Sequence, residues 1–277
     1  QIISAQPSDR NNRHMMSVSP IDHSKPPQRI LLLGSYAPSL INFRGPFIEA
    51  MIAGGHEVHV GAPGVERKVA SALNELGATA HETELVRQGV GVVANLAYFR
   101  TLIRLIEDVR PDLLVTYTIK PNIWGAFAAA LTRVRSVSIL TGLGFAFTGG
   151  GDEVKIIPRV RRLKWVLVRF VARNLYRAST WLNQLVIFQN PDDRDDFIAT
   201  GCMRDAGKTR LINGSGVDLG RFKPFALPDT PNFLMIARIL GAKGVREYAS
   251  AAIEVKRSYP LARFRLVGFF DEVIRHI

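Results

Sequence analysis

From Arg29 onward, short apolar runs alternate with longer amphipathic stretches. The runs "ILLLG" (30–34), "EVHVGA" (57–62), "DLLVTYT" (112–118), "SVSILTG" (136–142), "LVIFQN" (185–190) and "TRLINGSG" (209–216) read as strands buried on both faces. Helices are expected between them, over 45–53, 65–76, 92–109, 121–132, 158–178 and 191–200, and His81 falls in a further expected strand. This alternation predicts an α/β fold, with a parallel sheet wound on both sides by helices.

The pattern is absent at the start and breaks near the end. Residues 1–28 mix Ser, Asn, Gln and Pro without periodicity and predict a disordered tail, with Met15 or Met16 as an alternative start. Residues 29–215 form the first expected domain. The segment 216–231 holds "VDLGRFKPFALPDTP", with three prolines and no period, and reads as a linker. From 232 to 277 one strand (232–237), one helix (243–258) and one strand (263–268) are expected. Two strands and a helix leave sheet faces and edges uncovered, so this last part is expected to be the start of a second, incomplete domain.

Composition narrows the class. Of 277 residues, 47% are hydrophobic and 22% charged, enough apolar material for a sizeable core. The single cysteine, Cys202, excludes an internal disulfide and a cysteine metal cluster, and fits a reducing cytoplasm. No apolar run approaches the roughly 18–20 residues needed to span a bilayer. A formal net charge of +12 predicts attraction to an anionic partner: nucleic acid, a membrane surface or a phosphorylated substrate.

Ligands of open parallel sheets bind beyond the carboxyl ends of the strands, so chemistry is sought in the loops that follow them. The first is "GSYAPSLINFRGPFIEAM": Gly34 permits a tight turn before a helix, and Asn42 and Arg44 favour polar recognition over a plain strand-to-helix turn. Its glycine spacing is not that of the dinucleotide fingerprint. Two further loops, "TYTIKPN" and "LTGLGFAFTGGG", bring Lys120, Thr141 and Gly142 to the same rim, where a polar ligand would meet them; a solvated lysine is the simpler reading of Lys120 alone. The glycines at 142, 144 and 149–151 suggest a moving lip. His56, His59 and His81 lack metal-ligand spacing and are read as structural.

The expected helix "PRVRRLKWVLVRFVARNLYR" is basic, without an acidic residue between Glu153 and Asp192. Arg159, Arg162, Arg169, Arg173 and Arg177 fall on one stripe at 100° per residue, flanked by Trp165 and Tyr176, while Val160, Leu163, Leu167, Phe170 and Val171 are assigned to the sheet. The stripe is read either as a solvated face or as a contact with anionic lipid. Nucleic acid is not expected, because no aromatic-studded sheet or binding motif accompanies the charge.

Near the end, "ARILGAKGVREY" places Arg238 at a strand end and Lys243 five positions later between glycines, facing a helix start. A planar guanidinium fork and a mobile ammonium there would converge on one phosphate-rich ligand.

Taken in order, "NFRGPFIEAMIAGGHEVHVGAP", "PDLLVTYTIKPNIWGAFAAAL", "TGLGFAFTG", "VIFQNPDDRDDF", "NGSGVDLGRFKP" and "MIARILGAKGVREY" resemble family 4 glycosyltransferases of the GT-B fold, from about Arg29 to Gly268. The likeness is strongest to bacterial enzymes that extend glycans on polyprenyl-diphosphate carriers. It implies two Rossmann-like domains and sugar transfer, with retention of configuration, from a nucleoside-diphosphate-sugar to a hydroxyl of a lipid-linked or polysaccharide-precursor acceptor. Arg238 and Lys243 match the pair that grips the donor diphosphate without a metal or other cofactor, and Gly34 and Gly216 match glycines close to the donor. No catalytic side chain is assigned: many relatives carry histidine where this chain has Thr141. Relatives also place two glutamates eight apart in the C-terminal domain, and this chain ends before that region. The expectation is therefore a cytoplasmic enzyme docked on the inner face of the bacterial membrane, inactive as this portion alone. The alternative is a non-catalytic basic module that binds anionic membrane or nucleic acid.

Overall fold

The computed structural model describes residues 26–85, 92–143, 159–220, 222–226, 228–239 and 241–268. The chain folds as two compact units, which meet in sequence between Gly216 and Val217. The larger contains seven parallel strands: β1 (Arg29–Leu33), β2 (Glu57–Ala62), β3 (Thr79–Glu82), β4 (Leu113–Tyr117), β5 (Arg135–Leu140), β6 (Leu185–Phe188) and β7 (Thr209–Leu211). They lie in the order β3-β2-β1-β4-β5-β6-β7. Its helices are α1 (Pro38–Asn42), α2 (Gly45–Ala53), α3 (Arg67–Glu75), α4 (Val92–Val109), α5 (Ile119–Leu131), α6 (Arg159–Leu182) and α7 (Pro191–Ala199). The smaller unit has two parallel strands, β8 (Asn232–Ile236) and β9 (Arg263–Val267), joined by α8 (Val245–Ser258).

The unbroken apolar run of β1 follows from burial on both faces. Ile30 and Leu32 pack with Leu40, Ile48 and Met51 of α1 and α2, and Leu31 and Leu33 with Tyr98, Leu102 and Ile106 of α4. A third cluster joins Ile123, Leu140, Tyr176, Val186, Phe188 and Phe197, around α5, α6 and α7. The serines of β5 are buried without being orphaned. Ser136 Oγ donates to Asn183 Oδ1 at 2.7 Å, and Asn183 Nδ2 donates to Ser138 Oγ at 2.8 Å.

Two expectations are corrected. The last residue of the expected tail, Gln28, is held in place: its carbonyl accepts from Glu57 N at 3.0 Å, and its N–H donates to His56 Nδ1 at 3.1 Å. Residues 1–25 lie outside the described residues. The second correction concerns the phase of α6. Leu167, Phe170 and Val171, assigned to the sheet, are 60%, 65% and 46% exposed, whereas Tyr176, assigned to the surface, is buried edge-on against Phe197. The inward face is Tyr176, Ser179 and Thr180. Ser179 and Thr180 both donate to the Tyr176 carbonyl at 3.0 Å, so hydroxyls that look polar in the sequence are satisfied within the helix and pack inward. The single Thr180 proton is shared with Cys202 O, which lies nearer at 2.6 Å and ties α6 to the turn after α7.

Candidate functional site

In the seven-stranded sheet, the strand order reverses between β1 and β4, so the crevice lies beyond their carboxyl ends. Gly34 and Thr118 follow these two strands directly. Gly34 is buried and its N–H donates to Gly61 O at 2.9 Å; a Cβ added there would clash with Cζ and the hydroxyl oxygen of the buried Tyr117, so this close approach favours glycine. Tyr117 is itself buried, with its hydroxyl 2.8 Å from Ser39 Oγ. Burial raises its phenol pKa above the ordinary value.

Thr118 has φ 70° and ψ 157°, a region that a β-branched residue enters only at a cost. Its Oγ1 donates to Ser35 Oγ at 2.9 Å, which closes the β4 loop against the β1 loop. Strained backbone held by surrounding contacts at a switch point is a mark of a functional site.

Arg44, the N-cap residue of α2, is buried beside this crevice. Its Cζ lies 4.9 Å from the centre of the Tyr117 ring, and Nη1 donates to Ser215 Oγ at 2.9 Å. Burial lowers its pKa. Ser215 stands between Gly214 and Gly216, whose φ values of 72° and 73° lie in the left-handed region. Arg44 therefore ties the β1 side of the sheet to the turn at the end of the larger unit.

The other expected rim residues are less organised. Lys120 is half-buried in the first turn of α5, and burial lowers its pKa. Asn42, Thr141 and Gly142 are exposed, and neither Asn42 nor Thr141 makes a side-chain hydrogen bond among the described residues. The glycines at 144 and 149–151 lie outside the described residues. Thus Gly34, Arg44 and the Gly216 turn come together, joined by Tyr117, Thr118, Ser35 and Ser215, to which the sequence reading assigned no role. One signal for Tyr117 was available: a bulky aromatic at the end of a strand expected beside a glycine turn.

In the smaller unit, Arg238 lies two residues beyond β8, and Lys243 ends a 3-10 turn, Gly241–Lys243, that leads into α8 through Gly244 at φ 77°. Both cations are exposed. On α6, Arg169 and Arg173 are half-buried, and Arg177 Nε donates to Gly201 O at 2.8 Å. The side chains of Arg159, Arg162 and Trp165 lie outside the described residues. At the sheet edge, His59 Nδ1 and His81 Nε2 are 2.9 Å apart, and His59 Nε2 is 2.9 Å from Glu57 Oε1.

Comparison with known proteins agrees with this arrangement. The glycosyl transferase 4-like domain matches residues 45–213. An N,N'-diacetylbacillosaminyl-diphospho-undecaprenol alpha-1,3-N-acetylgalactosaminyltransferase of Campylobacter jejuni is 27% identical over 259 residues, which is 88% of this chain and 64% of that protein. The chain thus spans a little under two thirds of that relative's length. Among solved structures, Anabaena Alr3699/HepE in complex with UDP and glucose has a TM-score of 0.59 at 18% identity, covering 90% of this chain and 63% of its own. Neisseria meningitidis UDP-GlcNAc 2-epimerase bound to UDP-GlcNAc has 0.53 at 13% identity, covering 89% and 67%. An epimerase and a protein solved with UDP and glucose share this fold, so the fold alone does not fix the reaction. With the family domain matched over more than half of its length, the chain belongs to the glycosyl transferase 4-like family and has the GT-B type of α/β fold.

Proposed function

We propose that this chain is part of an enzyme that carries out glycosyl transfer from a nucleoside-diphosphate-sugar to a hydroxyl of a polyprenyl-diphosphate-linked glycan, with retention of configuration. The observation that carries this reading is the placement of Arg238 two residues beyond β8 and of Lys243 at the end of the turn that leads through Gly244 into α8. Glycosyl transfer expels a diphosphate. A guanidinium fork and an ammonium fixed where that charge develops stabilise the transition state more than the ground state. The Campylobacter relative, named for a diphospho-undecaprenol acceptor, supports a lipid-linked substrate.

A lipid-linked acceptor calls for a membrane surface, and no described helix is long and apolar enough to cross a membrane. The exposed side of α6 supplies a means of docking. Val166, Leu167, Phe170, Val171 and Trp181 stand 58%, 60%, 65%, 46% and 73% exposed. Arg169, Arg173 and Arg177 follow at four-residue spacing along one border of this stripe. Apolar side chains entering the acyl boundary beside guanidinium groups at phosphate level suit an anionic inner leaflet.

The test is a transfer assay on phosphatidylglycerol-containing vesicles loaded with a polyprenyl-diphosphate-linked sugar, with UDP-N-acetylhexosamine as donor. The expected result is an elongated lipid with an axial linkage by NMR. Interconversion of the UDP-sugar without acceptor would instead make the protein an epimerase. Flotation of wild type with anionic vesicles, and its loss in a Leu167→Ser/Phe170→Ser variant, would support α6 as the docking element. Equal flotation of the variant would move that surface elsewhere.

A further inference from the structure

A buried guanidinium without a carboxylate destabilises a fold. Arg44 is 5% exposed and forms no ion pair among the described residues, and its Nε is buried without a partner there. Its remaining contacts are one neutral hydroxyl, Ser215 Oγ, and the face of Tyr117. Neither offsets the desolvation of a full positive charge. Packing does not require arginine here either, since α2 is anchored by Ile48 and Met51. The group that holds Nη1 is also the one best able to leave: Ser215 is exposed between two left-handed glycines, and apart from Arg44 it is approached by Gln189 Nε2 at 3.4 Å.

We propose that Arg44 is a diphosphate-binding group of the crevice, and that the Ser215 hydroxyl is a placeholder which anionic oxygens replace on its guanidinium. The inference rests on reading the crevice as a sugar-transfer site. Diphosphate is the chemistry common to the donor and to the lipid-linked acceptor, and a planar fork whose Nε–H is idle and whose Nη1 is held by a neutral hydroxyl matches its oxygens. Release of Ser215, one residue before Gly216, links occupation of the crevice to the turn where the larger unit ends.

The experiment is thermal denaturation of the whole chain against inorganic pyrophosphate at fixed ionic strength, for wild type, Arg44→Met, Arg44→Lys, Ser215→Ala and Arg238→Gln/Lys243→Gln. Arg44→Met should melt at or above the wild-type temperature, because an apolar chain replaces an uncompensated charge. Its pyrophosphate affinity should fall roughly ten- to hundredfold. Ser215→Ala should bind at least as tightly as wild type. Wild type without a pyrophosphate-induced shift overturns the proposal, and so does Arg44→Met that binds like wild type. Should Arg44→Met fail to fold, Arg44→Lys decides, because unchanged affinity with a point charge in place of the fork also overturns it. Parallel titrations with UDP and geranyl diphosphate distinguish the sources: the ligand whose shift disappears in Arg44→Met is the one read. Undiminished UDP binding in Arg238→Gln/Lys243→Gln would count against the donor reading alone and leave the Arg44 result standing.

Discussion

The rims of the two units solve one problem differently. Each has cationic side chains in the segment between a parallel strand and a helix that follows it, near a glycine turn. In the larger unit Arg44 is buried, stacked on Tyr117, and tied to Ser215, while Gly34 lies too close to the Tyr117 side chain for a Cβ and Thr118 is held at φ 70°. In the smaller unit Arg238 and Lys243 are exposed, above a two-stranded sheet whose Leu234 and Ile236 are 58% and 74% exposed. A substitution in a rim built into the core changes the stability of the fold, upward where it removes an uncompensated charge and downward where it overpacks. A site resting on an open strand end is separable from the fold.

That contrast makes the largest prediction. Replacing Arg238 and Lys243 together by glutamine should weaken UDP binding about a hundredfold, on the order of two lost charge-assisted hydrogen bonds. The unfolding free energy should stay within about 0.5 kcal/mol of wild type, as for surface substitutions. Calorimetric titration and denaturant melts check the two halves, and a matching loss of stability would erase the distinction between the rims.

The converse holds at Gly34. A methyl group there meets the Tyr117 ring, so Gly34→Ala should lose about 1–3 kcal/mol of stability through overpacking. In a Tyr117→Ala background the same substitution should cost much less, because the clashing atoms are gone. The difference, read as a double-mutant cycle, measures how tightly this rim is joined to its core. An uncoupled pair would mean that the backbone shifts freely to make room.

Much of this architecture was legible because burial on both faces writes continuous apolar runs, which marked five of the larger unit's strands; the edge strand β7, expected to be buried likewise, is half-buried to exposed. The edge strand β3, "TAHE", was visible only through His81, since four half-buried or exposed residues leave almost no apolar signal. The five-residue α1 was not anticipated: it begins at a proline within a loop too short for a helical period. The phase of α6 was misread for a different reason, since its inward hydroxyls satisfy themselves on the preceding turn and its apolar side faces out. At the crevice, residue types pointed to Gly34 and Arg44. The burial of Arg44 and the backbone of Thr118 depend on neighbours distant in sequence, and no local pattern encodes them.

Thr118 offers a smaller effect with an unusual sign. At ordinary positions alanine is more stabilising than glycine, but at φ 70° alanine keeps the strain that glycine relieves. Both substitutions remove the hydrogen bond to Ser35, so that loss cancels in the comparison. Thr118→Gly should therefore be more stable than Thr118→Ala by about 1 kcal/mol. Chemical denaturation of the two variants gives the difference directly, and the usual order would show that the backbone there is unstrained.

The smallest expected effect is a pH dependence confined to the larger unit. Burial lowers the pKa of His81 below its usual 6.5, the neighbouring His59 adds to the shift, and Asp108 of α4 opposes it. Glu57, held low by His59 and Arg29, stays ionised throughout the range concerned. Below pH 6.5 the unfolded chain takes up a proton at this position more readily than the folded one. Stability is thus complete above that pH and declines as pH falls towards the folded value, with a slope bounded by about 1.4 kcal/mol per unit. His81→Gln should flatten the decline between pH 7.5 and 5.5. The described residues of the smaller unit contain no histidine, so backbone amide exchange in α8 and β8 should stay level over the same range while exchange around β2 and β3 quickens. A parallel change in both units would mean that they unfold as one, and the independence of the two rims would then need another measure.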